Sequence, residues 1–183
     1  MGWIKNIRLR LHNYFLHKEL KTRKREAHSV NWEDAHSIGI LFNATELKDR
    51  QTVLQYKEKL KKAGKRVKLL GYFQTEQNDP NFTFRHFNRK QLDWALRPSS
   101  PQIDEFLNME FDLLLNLEPR TQLHSEYIAV LSKARLKVGP VSDNTECYDL
   151  MIDTSDQMNI DSFIKQIEAL LKKTQSRNET AKI

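Results

Sequence analysis

Along the chain, stretches with an apolar residue every three or four positions alternate with short runs that are apolar throughout. These are the signatures of amphipathic helix and of buried strand. The first helical stretch is 3–26, where Ile4, Ile7, Leu11 and Phe15 mark a stripe, Trp3 and Tyr14 flank it, and Lys5, Arg8 and His12 lie mostly off it. Its second half, "KELKTRKREA", has little apolar face and reads as a solvated continuation. "HSVNWEDAHS" reads as a linker with Trp32 as a docking anchor. The runs "SIGILF" (37–42), "RVKLLGYF" (66–73), "FDLLLNL" (111–117), "LKVGP" (136–140) and "CYDLMID" (147–153) predict strands, and "FTFRHF" (82–87) alternates with period two, as a half-exposed strand should. A helix over 45–63 turns Val53, Tyr56, Leu60 and Ala63 inward, with Asn43 and Glu46 as a capping box and Gly64 as its stop. A short helix over 101–109 has Pro101 in its first turn. A third, 120–134, faces inward through Leu123, Tyr127, Val130, Leu131 and Ala134, and a fourth, 159–173, is capped by Asn159. Residues 88–100 are expected to be loop with one short turn around 92–96, and 174–183 a polar tail.

Strands separated by amphipathic helices imply βαβ crossovers and a mostly parallel sheet. The expected architecture is therefore α/β: a three-layer Rossmann-like domain over 37–175, a basic helical arm and linker over 1–36, and a disordered tail from 176 to 183.

Charge adds a feature that the apolar pattern does not show. The chain carries a net +6. Residues 1–26 hold eight Lys/Arg and two Glu, which leaves the rest of the chain balanced, so the whole excess sits in the arm. The basic character thus concerns the arm and not the body. Arg8, Arg10, Lys18, Lys21, Arg23, Lys24 and Arg25 are the candidate contacts to an anionic partner, either RNA phosphates or lipid head groups. The bland alternative is a helix whose stripe packs on the body and whose basic face is solvated. The lone cysteine, Cys147, excludes an intramolecular disulfide and is expected to be a semi-buried thiol. No run approaches the ~18 consecutive apolar residues of a membrane span, and Lys5, Arg8 and Arg10 interrupt any signal core. A cytoplasmic protein, peripheral to a membrane if the arm binds lipid, is the expectation.

Chemistry is sparse. In a doubly wound sheet, ligands sit beyond the C-terminal strand ends, where the strand order reverses. The loops "FNATEL" and "NLEPRT" would form such a crevice, with Asn43, Thr45, Asn116, Glu118, Arg120 and Thr121 as its polar set. The first of these loops has no glycine, so backbone cradling of phosphate is not expected. The same polar residues also suit plain helix capping. The six histidines lack metal spacing, and no cofactor or metal is expected.

The stretch "FDLLLNLEPRTQLHSEYIAVLSKARLKVG", followed by "YDLMID", resembles an uncharacterised family of small bacterial proteins, a domain of unknown function of about this length. The resemblance supplies a fold without a mechanism. The same stretch is similar to the N-terminal half of lipopolysaccharide heptosyltransferases, where such a strand and helix precede a "VG" turn. Those enzymes have two facing Rossmann-like domains, with the nucleotide-sugar held mainly by the second. This chain stops short of a second domain and lacks their glycine-containing first turn, so the resemblance implies a scaffold without the chemistry. The expected function is a non-enzymatic binding module whose basic helix contacts structured RNA, the ribosome included. The alternatives are an anionic membrane surface met by the same helix, and a partial glycosyl- or nucleotide-transferase.

Overall fold

The computed structural model describes residues 2–22, 30–76, 82–154 and 158–180, with side chains as far as 173. The elements in chain order are α1 (Gly2–Thr22), β1 (Ser37–Asn43), α2 (Leu47–Lys62), β2 (Arg66–Phe73), β3 (Arg85–Asn88), α3 (Pro101–Leu107), β4 (Leu113–Asn116), α4 (Leu123–Leu131), β5 (Leu136–Pro140), β6 (Leu150–Ile152) and α5 (Ile160–Thr180). The six strands form one sheet in the order β3-β2-β1-β4-β5-β6, and every pairing is parallel. The chain winds outward from β1 in one direction and from β4 in the other, so the strand order reverses between these two central strands.

The expected α/β three-layer arrangement is present. One apolar cluster packs α2 and α5 on one face through Ile38, Ile40, Phe42, Val53, Phe163 and Ile167. The other packs α1, α3 and α4 on the opposite face through Leu41, Leu70, Leu114, Phe106, Ile128 and Leu16. Because β-strand side chains alternate, "FDLLL" serves both clusters: Leu113 and Leu115 join the first and Leu114 the second, all with no exposed surface.

A repeated step fixes the entry edge of the sheet. Asp112, just before β4, donates its amide to Ser37 O, and its Oδ2 accepts the amides of His36 and Ser37, each at 2.9 Å. Asp149, two residues before the pairing of β6 with Gly139, donates its amide to Lys137 O, and its Oδ2 accepts the Lys137 amide at 2.7 Å. Burial pushes the Asp112 carboxyl up, but the amides of Ser37 and His36 and the Arg135 guanidinium outweigh it and hold the group below its ordinary value. In each copy the aromatic residue before the aspartate covers a glycine two positions along the partner strand. A Cβ on Gly39 would stand 2.8 Å from the Phe111 ring, and one on Gly139 would stand 2.5 Å from the Tyr148 ring. The pairings Gly39 with Leu114 and Gly139 with Met151 put both aromatics at the same offset.

Several expectations shift. The linker reaches the core: Trp32 and Ala35 are buried, and Lys65, itself only 8% exposed, donates its ammonium to Trp32 O at 2.7 Å and Ala35 O at 2.8 Å. The helix expected from 45 starts at Leu47, because Asn43 folds back to accept the Thr45 amide and Glu46 takes the N-cap position without a side-chain bond. Gly64 does stop α2: its φ is +81°, and Gly64 N and Lys65 N close onto Lys61 O and Leu60 O in a Schellman arrangement. Helix α5 runs from Ile160 to Thr180, and no glycine or proline after Ile160 interrupts it. Residues 181–183 lie outside the described residues.

The aromatic-over-glycine contact can be tested. Gly39→Ala is expected to cost about 1–3 kcal/mol, because Phe111 and Phe106 are enclosed and have little room to yield. In chemical denaturation, the double variant with Phe111→Leu should cost less than the sum of the two single variants. Strict additivity would show that the ring is not what fills the space.

Candidate functional site

The arm is docked on the body by one face of α1. Three of its side chains, at helical spacings of four and three, meet residues 94, 95 and 97 of the loop 92–98. Arg8 Nε donates to Trp94 O at 2.8 Å, His12 Nδ1 lies 3.0 Å from Ala95 O, and the Arg97 guanidinium stacks 3.9 Å above the Phe15 ring. The loop is closed by the Leu92–Pro98 bridge and by Asp93, which accepts the Arg97 amide through Oδ1 and the Arg97 side chain through Oδ2. Leu96 sits at φ +62°, in the left-handed region, so the turn that presents these carbonyls holds some strain. Below the loop, His12 and Leu16 are fully buried against α4, and the His12 ring lies 5.6 Å from that of Tyr127.

This face is not the expected stripe. Ile4 and Ile7 are exposed, while His12 and Leu16 are buried, so the docked face is rotated by roughly a quarter turn from the Ile4–Ile7–Leu11–Phe15 line. The cause is that the apolar residues of α1 are spread round the helix among its polar ones, so they define no single face, and His12, counted as polar, is the residue at the centre of the contact. Nearly opposite the docked face runs a second stripe: Trp3, Ile7, Arg10, Tyr14, Lys18 and Lys21. All six are exposed, Trp3 by 66% and Tyr14 by 63%. Of the candidate contact residues, Arg10, Lys18 and Lys21 therefore face outward, and Arg8 is turned toward the body. Arg23, Lys24 and Arg25 lie outside the described residues.

Beyond the C-terminal ends of β1 and β4, the reversal between these strands opens a crevice of about 390 Å³. Of the polar set expected there, Asn43, Thr45, Glu118 and Arg120 line it, with Glu46, Asp49, Gln74, Gln122 and Asn159. Asn116 lies beneath and is fully buried, donating to Tyr148 Oη at 2.8 Å and accepting the Glu118 amide. Thr121 turns away to Val141 O. Glu118 is 3% exposed; its Oε2 accepts the Ser125 hydroxyl at 2.7 Å, and its Oε1, without a hydrogen-bond partner, lies 3.7 Å from the equally unpartnered His124 Nε2. Asp49, at the mouth, is raised above its ordinary value by burial and by Glu46.

The chain belongs to a family of unknown function (DUF6913), whose model matches residues 8–174. The match opens at Arg8, the first of the three residues seated on loop 92–98. The docked part of α1 is thus inside the family's common region, and the overhanging first turns are outside it. No curated protein and no solved structure matches the chain.

Among the described residues, no group of three or more His, Cys, Asp or Glu is placed to hold a metal. Cys147 is fully buried, and burial and the nearby Glu126 push its thiol up to about 12, which suits packing and not nucleophilic attack. At the crevice, Ala44 is fully buried beneath Gly71, and Glu46 and Asp49 follow it, so the β1 loop offers side chains and negative charge where a phosphate would need bare amides. Millimolar ATP or a nucleotide-sugar is accordingly expected to leave the melting temperature unchanged. Saturable stabilisation that disappears in Asn43→Ala or Glu118→Ala would assign the crevice to nucleotides.

Proposed function

We propose that the protein is a non-enzymatic binding module that attaches to an anionic lipid surface through the outward stripe of α1. The observation that carries this reading is the pairing of two faces on one helix. One face is occupied by the body, and the other presents Trp3, Ile7 and Tyr14 to solvent beside Arg10, Lys18 and Lys21. A single exposed apolar residue needs no explanation, but five of the large exposed apolar side chains, Trp3, Ile4, Ile7, Leu9 and Tyr14, lie on this one helix. Basic residues alone would serve RNA phosphates equally well. The apolar residues favour lipid, because Ile and Trp gain by leaving water at a head-group boundary, whereas a phosphate backbone gives Ile nothing to bury against. No helix among the described residues is long and apolar enough to cross a membrane, so the contact is one of lying on the surface.

Co-sedimentation with vesicles of phosphatidylcholine, with and without phosphatidylglycerol, tests this. Binding is expected only with the anionic lipid. Trp3→Ala and Ile7→Ala should weaken it about as much as Arg10→Glu or Lys18→Glu, each by about tenfold or more, in line with about 1.5–3 kcal/mol for fully burying a large apolar side chain and about 1 kcal/mol per unit of surface charge, of which each reversal changes two. If the apolar substitutions leave binding intact while an RNA partner is lost with salt at a log–log slope of about −0.7 to −0.9 per phosphate contact, RNA is the partner and the lipid reading fails.

A further inference from the structure

We infer that the docking of α1 is an acid-sensitive latch: it is held by a neutral His12 that has no acceptor for a second proton, and it opens when His12 is protonated. The ring is fully buried, and Nδ1 faces the Ala95 carbonyl. A carbonyl only accepts, so Nδ1 carries the hydrogen and Nε2 is the site an added proton would take. Nε2 is buried without a hydrogen-bond partner. A proton placed there would create an ammonium-like charge in the interior with nothing to receive it.

The charged and titratable neighbours do not supply a counter-ion. From the loop come Asp93 and Arg97, and the Asp93 carboxylate is already engaged by the Arg97 amide and guanidinium. From α4 come Tyr127, ring to ring with His12, and His124, whose own Nε2 faces Glu118. On α1 itself, Arg8 is bonded to Trp94 O, and Glu19 acts on Tyr127. A cationic His12 would thus join Arg97 and His124, and Asp93, the carboxylate that acts on it, is already paired with Arg97. Burial, reinforced by those two groups, lowers the His12 pKa from 6.5 against the pull of the Ala95 bond and Asp93.

The sign follows. A released helix has an ordinary histidine and a docked one does not, so below pH 6.5 the released state binds more protons. Docking is therefore complete above pH 6.5 and is lost as the pH falls toward the docked value. The rest of the seat offers modest resistance. Only His12 and Leu16 of α1 are buried, and Leu96 leaves its left-handed conformation if the loop relaxes. The body's two clusters close around the sheet, and α1 adds one fully buried apolar residue, Leu16, to one of them, with Phe15 and Leu20 partly buried against the same cluster. Release would expose Leu16, Phe15 and Leu20 and turn a half-docked helix into one free along its length. That acid should then strengthen vesicle binding rests on the lipid reading above; the release itself does not.

Hydrogen exchange of the full chain at pH 7.5 and 5.5, corrected for intrinsic rates and followed by mass spectrometry without lipid, tests the latch. One unit below 6.5, the open fraction of 2–22 and of loop 92–98 should rise, by at most about tenfold, while peptides of β1 and β4 stay protected. His12→Asn, whose Nδ2 can still donate to Ala95 O and which does not titrate, should abolish the difference between the two conditions. In the parent, the His12 ring, labelled at Cε1 and followed by NMR, should titrate at the pH where α1 loses protection. Three outcomes would overturn the latch: α1 equally protected at both pH values, β1 and β4 opening in the same step, or His12 titrating with no change in the protection of α1. If His12→Asn is undocked at pH 7.5, the titration of the parent still decides.

Discussion

Two carboxylates set the starting line of the sheet. Asp112 gathers the amides of His36 and Ser37 at the start of β1, Asp149 takes that of Lys137 near the start of β5, and each follows an aromatic ring that closes over a glycine on that strand. A parallel pair has no hairpin to fix its register, and a slip of one residue would send every inward side chain to the opposite face. Here, a slip would also bring a ring against a Cβ and leave an aspartate without its amides. One step lies at the strand-order reversal itself, binding β4 to β1, and the other lies at the edge of the sheet, binding β6 to β5. With the entry edge pinned in this way, the exit edge is left to loops, and that is where the crevice opens.

How much of this was legible in the sequence depended on whether side chains or backbone made the contact. "FDLLLNL" and "RVKLLGYF" could be read as central strands because a residue buried on either face of a parallel sheet must be apolar. Helix α2 could be read with its stop because only Gly64 suits the positive φ at its end. The seat of α1 could not be read. Arg8 and His12 bind carbonyls of Trp94 and Ala95, and a carbonyl carries no side-chain signature. The spacing of 8, 12 and 16 was present as a helical face, but a histidine and an arginine on it argued for solvent. At the crevice, position after a strand was enough to select Asn43, Thr45, Glu118 and Arg120. It was not enough to foresee that Asn116, still within β4, points into the layer occupied by Tyr148, or that Thr121 is drawn to Val141.

The arm therefore joins two kinds of recognition in one element. Its inner face is specific, polar and geometrically exacting, with hydrogen bonds to a strained turn. Its outer face is generic, a mixture of indole, aliphatic and cationic groups with no fixed geometry. An element built in this way can be held in place by the first and employed through the second. The crevice at the far end of β1 and β4 is separate from both faces, lined by residues of the loops after those strands and the starts of α2 and α5.

Lys65 sets where the folded unit begins. Its ammonium is enclosed by the carbonyls of Trp32 and Ala35 and lies 5.0 Å from the centre of the Trp32 indole, and burial lowers its pKa. Those carbonyls are the ammonium's solvation shell in place of water. A shorter chain beginning at Ser37 would keep the cation and remove its shell, leaving Lys65 to drag water into the floor of the sheet or give up its charge. The seven residues from Val30 to His36 are thus less a connector than a plug, and a boundary drawn by strand and helix alone would cut through it.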